Sequence, residues 1–139
     1  MDMSRRYLVW SLSYAALGMA LGIYMAASHN HGQLVTHAHV LMVGFVLSLV
    51  YGIIHRLWLD APRRAVAMTQ FVLHQLAAVA LLAGLFMLYG GKAGEETLEP
   101  LLGIGSVGVL AGMLLMLYMV LRPGRARSAE PGAPDQAAA

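Results

Sequence analysis

Residues 36–58 read THAHVLMVGFVLSLVYGIIHRLW. Between the paired histidines at its start and His55 near its end the segment carries no charge, and its polar groups are one serine and one tyrosine. A helix rising ~1.5 Å per residue needs about 20 such residues to cross a hydrocarbon core ~30 Å thick. Working outward, three further apolar runs of the same length flank this one, so that spans are expected at 7–27, 37–59, 65–89 and 98–121. None alternates apolar and polar residues as a barrel strand would, and a lipid-exposed backbone must satisfy its own hydrogen bonds, so the spans are read as helices. The first run is too long for the core of a signal peptide and lacks a cleavage site, and it is kept as a helix. The expected fold is therefore all-α: an integral membrane four-helix bundle in a single domain, followed by a disordered tail over 122–139.

Composition agrees. Of 139 residues, 59% are apolar and only 12% charged, too few charges to cover a soluble domain of this size. The nine basic residues could suggest nucleic acid, but their distribution has a simpler cause. Arg5 and Arg6 precede the first span, Arg56, Arg63 and Arg64 surround the second loop, and Arg122, Arg125 and Arg127 follow the fourth span; only Lys92 falls at the opposite end. The positive-inside rule then predicts both termini and the loop around Asp60 and Pro62 on the cytoplasmic side of a bacterial-type inner membrane, with 28–36 and 90–97 as outer loops. The sequence has no cysteine, which excludes disulfides, iron–sulfur clusters, thiolate ligands and covalent c-type haem.

Small residues mark the packing faces. Ser11, Ala15, Gly18, Gly22 and Ala26 share one face of the first span, and Gly105, Gly108 and Gly112 mark the fourth; this spacing lets membrane helices approach closely. The methionines are read as lipid-facing filler. Tyr7, Trp10, Trp58 and Tyr89 lie near span boundaries and suit interfacial anchoring. Glu95, Glu96 and Glu99 suit the solvated N-terminus of the fourth helix.

The six histidines, at 29, 31, 37, 39, 55 and 74, carry the functional information. Ionisable groups inside a span are costly and by default point to function. At ~100° per residue, Gly44, Ser48, Tyr51, Gly52 and His55 fall within about 60° of His37, a stripe of polar and small residues. His39 points about 200° away, with Val43, Val46 and Val50. One helix therefore cannot offer both imidazoles to one iron, but it can serve two sites, one on each side. Imidazole is a usual axial ligand for haem, and glycine, Gly44 here, clears room for a flat macrocycle. With His29 and His31, four imidazoles stand within SHNHGQLVTHAH (28–39), a candidate copper or zinc site without a carboxylate or thiolate. His55 next to Arg56 reads as interfacial. His74, flanked by Gln70 and Gln75, is either a buried hydrogen-bonding residue or a further cofactor ligand; a depth difference of roughly 20 Å separates it from His37, too far to share an iron.

Residues 36–58 resemble the helix that carries the H-x-H haem ligands in catalytic subunits of the haem–copper oxidase superfamily, including C-type oxidases and nitric oxide reductases. The matching features are His37 and His39, then Gly44 with Phe45, then Tyr51, Gly52 and His55. In that family the two histidines bind different haems on opposite faces of one helix. Its catalytic subunits have about twelve helices in three arcs of four, and place the second-metal histidines on helices that this chain does not contain. The resemblance thus implies a single arc, of which three copies would form a ring holding each b-type haem between His37 of one subunit and His39 of the next; a twofold dimer sharing haem is the alternative.

Two axial histidines fill the iron coordination and favour electron transfer over binding of oxygen or nitric oxide. The expected function is a membrane electron carrier exchanging electrons with a quinone or a cytochrome. A five-coordinate haem would restore gas binding, and a copper- or zinc-handling assembly or transport protein is the other class consistent with the histidines.

Overall fold

The computed structural model describes residues 2–59 and 62–122. These form four helices: α1 (Met3–Ser28), α2 (Leu34–Leu57), α3 (Arg64–Tyr89) and α4 (Glu95–Leu121), each long and apolar enough to cross a membrane. Their outward faces are apolar, with Leu17, Ile23, Leu76, Ile104 and Leu121 all more than 60% exposed, a surface that only lipid or another apolar helix solvates well. The chain is thus an all-helical membrane protein. Asp60 and the tail beyond Arg122 fall outside the described residues.

Local chemistry sets the helix ends. α1 stops where His29 takes a left-handed conformation (φ 52°), and Gly91 (φ 63°) turns the chain between α3 and α4. α4 begins three residues earlier than its apolar run because Glu95 and Glu96 favour the first turn, where acidic side chains meet the unpaired N–H groups. Pro100 is tolerated near that start.

Small residues determine how closely the helices pack. A Cβ on Gly105 would come within 2.9 Å of the Leu81 backbone, and one on Gly108 within 2.6 Å of Ala77 Cβ, so α4 lies directly along α3. Likewise Gly18 accommodates Leu41, and Gly52 faces the start of α1, drawing α1 onto α2. α3 is the most enclosed helix: half of its most apolar stretch is buried, against 22% for α1 and for α4. No extended contact joins α1 to α4, and the four helices form an open arc.

Three expectations from the sequence are corrected. Tyr7 is not an interfacial anchor but wholly buried, because its hydroxyl finds Gln70 in the core; Trp10, Trp58 and Tyr89 are exposed as expected. Met25, Met116 and Met119 are core residues, their flexible thioethers filling gaps between helices. The third concerns α2, whose backbone is π-helical from Val40 to Val46. An i→i+5 stretch takes up an extra residue, so the buried edge shifts round the helix. At the level of the histidine pair the buried side chain is Thr36, 2% exposed, and His37 is turned aside toward α1.

Candidate functional site

The histidine pair sits in the first turns of α2. His37 Nδ1 lies 2.9 Å from the Gly18 carbonyl oxygen of α1. A carbonyl can only accept, so Nδ1 carries the proton and donates it. Gly22 makes this approach feasible: a Cβ there would stand 3.0 Å from His37 Cε1. His39 Nδ1 is likewise 2.9 Å from the carbonyl oxygen of Val35, one turn back on its own helix, and donates to it. Both rings are therefore held in the same tautomer, with the Nε2 lone pair free. Among the described residues neither Nε2 has a partner, and neither is sealed inside the chain. An oriented Nδ1–H and an open Nε2 are what a metal-ligating imidazole needs, and the carbonyl partner raises ligand basicity. The donor set fits haem iron, with one ligand available from each of two places.

The other histidines divide differently. His29 and His31 lie exposed in the α1–α2 connection. Among the described residues no group of three His, Asp or Glu side chains is placed to hold a metal ion, so a single chain does not gather the four imidazoles of 28–39. Gly44 does not clear room for a macrocycle: a Cβ there would come within 2.6 Å of the Tyr14 ring, which fills that space and closes α1 onto α2.

His74 belongs to a second, enclosed cluster that the sequence signalled only in part. It is fully buried, its Nε2 3.2 Å from Ser48 Oγ. Ser48 accepts from Gln75 Nε2 at 3.3 Å, and Gln75 Oε1 accepts from the Tyr14 hydroxyl at 3.0 Å. Gln70 accepts from the Tyr7 hydroxyl and donates through Nε2 to the Gly112 carbonyl at 3.2 Å. Of its two sequence readings, His74 is thus the buried hydrogen-bonding residue. His55 is half-buried and stacks on Tyr7, with ring centroids 5.6 Å apart. Tyr51 contacts both Tyr7 (5.6 Å) and His74 (4.9 Å) edge-on. Tyr7, Tyr14 and Ser11 were not candidates from the sequence; the available signal was their spacing of three to four residues on the small face of α1.

Two cavities bracket the bundle. Asp2, His55, Arg56 and Arg64 help line one of about 390 Å³ at the arginine-rich end. At that mouth the Asp2 carboxyl is held below the ordinary carboxylate range, first by the Ser4 hydroxyl, which donates to it at 2.6 Å, and also by the positive charge of Arg56. The other, about 530 Å³, lies at the Lys92 end between Tyr24, Gln33, Phe86 and Tyr89.

No family model, curated protein or solved structure matches the chain.

Proposed function

We propose that this protein is a b-type haem-binding electron carrier of the membrane, assembled as a ring of identical subunits in which each haem is held between His37 of one copy and His39 of its neighbour. A single observation carries the reading: two imidazoles two residues apart each spend Nδ1 on a carbonyl and leave Nε2 open at the edge of the chain. Because the two rings leave α2 about 200° apart, they cannot meet on one iron within a subunit, and ligation by both requires a second copy. The open arc of helices supports this, since cyclic repetition of such an arc closes and makes a heterologous interface self-limiting. Three copies is the preferred number, a twofold dimer the rival.

The chain's residues then have defined tasks. Gly18 O and Val35 O orient the two rings and fix their tautomer. Gly22 lets His37 lie against α1. His37 and His39 would together hold the haem and leave no place for an exogenous ligand, and the bound group would supply one-electron exchange. The concentration of arginine at one end of the bundle supports an orientation with both termini in the cytoplasm, which puts the histidine pair near the outer face of a bacterial-type inner membrane, within reach of a quinone or a soluble cytochrome.

The absorption spectrum of the detergent-purified protein, oxidised and dithionite-reduced, tests this. Sharp reduced α and Soret bands that carbon monoxide leaves unchanged are the expected result. Correctly folded protein that takes up no haem when supplied with it overturns the reading, and a large carbon monoxide shift replaces it with an open-site haem.

A further inference from the structure

At the arginine-rich end, the packing of α1 on α2 gathers positive charge. Gly52 seats the start of α1: a Cβ there would stand 3.2 Å from Tyr7 Cβ and 3.3 Å from the Ser4 carbonyl oxygen. Arg5 follows Ser4, and Arg56 stands one turn beyond Gly52, so the contact brings both residues to a cavity of about 320 Å³ between the two helices. Among the described residues no carboxylate lines it. Asp2 belongs to the neighbouring cavity, which Arg56 also lines, and its carboxylate already accepts from the Ser4 hydroxyl. Away from the two arginines the walls are aliphatic. Leu8 lies one turn inward from Arg5 on α1, and Ile53 and Leu49 lie one and two turns inward from Arg56 on α2, at spacings that share a helix face. Leu8 and Ile53 are 44% and 42% exposed, so the groove opens sideways onto the hydrocarbon around the helices.

We propose that this groove binds one anionic phospholipid of the phosphatidylglycerol class, with its phosphodiester at Arg5 and Arg56 and the start of an acyl chain along Leu8, Ile53 and Leu49. Guanidinium groups suit phosphate oxygens because their N–H donors are paired and always charged. Free phosphate would use the arginines alone; the aliphatic walls call for a ligand that carries a chain. A zwitterionic lipid has the same phosphate but adds a cationic group, for which the groove offers no carboxylate. Net negative charge is therefore what the site selects. A phosphate placed here offsets the repulsion between Arg5 and Arg56 and so ties α1 to α2 at the contact that Gly52 allows. The site is independent of the proposed haem ligation, whose imidazoles stand at the other end of α2.

The test is native mass spectrometry of the full-length protein, released from detergent micelles that contain equal amounts of dioleoylphosphatidylglycerol and dioleoylphosphatidylcholine. The wild type is expected to retain one phosphatidylglycerol per chain, preferred over phosphatidylcholine by at least about tenfold, as two basic residues at one headgroup allow. Arg5→Gln and Arg56→Gln should each lower that preference about fivefold, and the double variant should abolish it. Ile53→Trp, which fills the groove without altering charge, should also abolish it. Arg63→Gln makes the same change of charge at the same end of the bundle but outside the groove, and leaves the preference unchanged. Both lipids are read from one spectrum, so general damage to the fold lowers both, whereas loss of the site changes their ratio. Equal retention of the two lipids by the wild type overturns the proposal, as when a second copy of the chain covers the groove. An effect of Arg63→Gln as large as that of Arg5→Gln overturns it in favour of diffuse attraction to the basic end. Displacement of the lipid by millimolar inorganic phosphate overturns it in favour of free phosphate.

Discussion

The two ends of α2 use histidine in opposite ways. At its start, His37 and His39 satisfy one ring nitrogen with a backbone carbonyl and leave the other open at the edge of the chain. In its second half, Ser48 turns its hydroxyl inward onto His74 and Gln75, while the rings of Tyr51 and His55 pack on His74 and Tyr7 with the Tyr51 hydroxyl and His55 Nε2 sealed. An imidazole whose free nitrogen reaches the surface can recruit something from outside the subunit; one whose free nitrogen is enclosed can exchange only with its neighbours. Residue type alone does not distinguish these cases, and the position of the carbonyl or ring opposite each nitrogen does.

The largest effect should come from the open pair. His37→Ala and His39→Ala are each expected to abolish haem retention, read from the pyridine haemochrome, and to shift the oligomer to smaller species by analytical ultracentrifugation, while His55→Ala leaves haem content unchanged. Full haem in either of the first two would remove the distinction between the two ends. Next comes the packing that holds the arc together. Gly105→Ala drives a methyl against the Leu81 backbone and should cost about 1–3 kcal/mol in a detergent or denaturant unfolding series. Gly103, with nothing within 4 Å of the same position, should accept alanine with a gain of up to ~1 kcal/mol from helix propensity. Tyr7→Phe removes the hydroxyl that Gln70 accepts and should cost about 1 kcal/mol, since polar contacts between membrane helices are worth little more than that. Smallest is Asp2→Asn. The lowered Asp2 pKa contributes stability that is present above the ordinary carboxylate value, ~4, and is lost as pH falls through the folded value. Since Asp2 is exposed, the difference between the two proteins should be slight at neutral pH and vanish in acid, as measured by thermal melts across that range.

Much of the fold was legible because hydrocarbon imposes a length and a composition on whatever crosses it, and 7–27, 37–59, 65–89 and 98–121 meet both. The glycines of α4 were equally readable, since Gly105, Gly108 and Gly112 face α3 as their spacing requires. Tyr7 and Gly44 were misread for a common reason. A tyrosine near a span end and a glycine beside a histidine have ordinary roles, and only a partner on another helix, Gln70 in one case and Tyr14 in the other, overrides them. The inward turn of Thr36 in place of His37 was hidden because a uniform 100° step has no provision for a π-helical stretch. The enclosed network was half visible: Gln70, His74 and Gln75 stood out as polar residues in an apolar run, but of their partners on α1 Tyr7 looks from sequence like a boundary residue and Tyr14 carries no signal of its own.

That π-helical stretch lies between the two kinds of histidine. Removing any one residue from Val40–Val46 would restore α-helical pitch and, because the stretch is what takes up that residue, leave the first turns of α2 nearly in their present orientation to the rest. The lower half, anchored by Ser48 and Tyr51, would keep its seat, and so would the ring of His37 on Gly18. The stretch is therefore slack of one residue, which a deletion there can take up without redirecting the ligand pair or disturbing the core beneath.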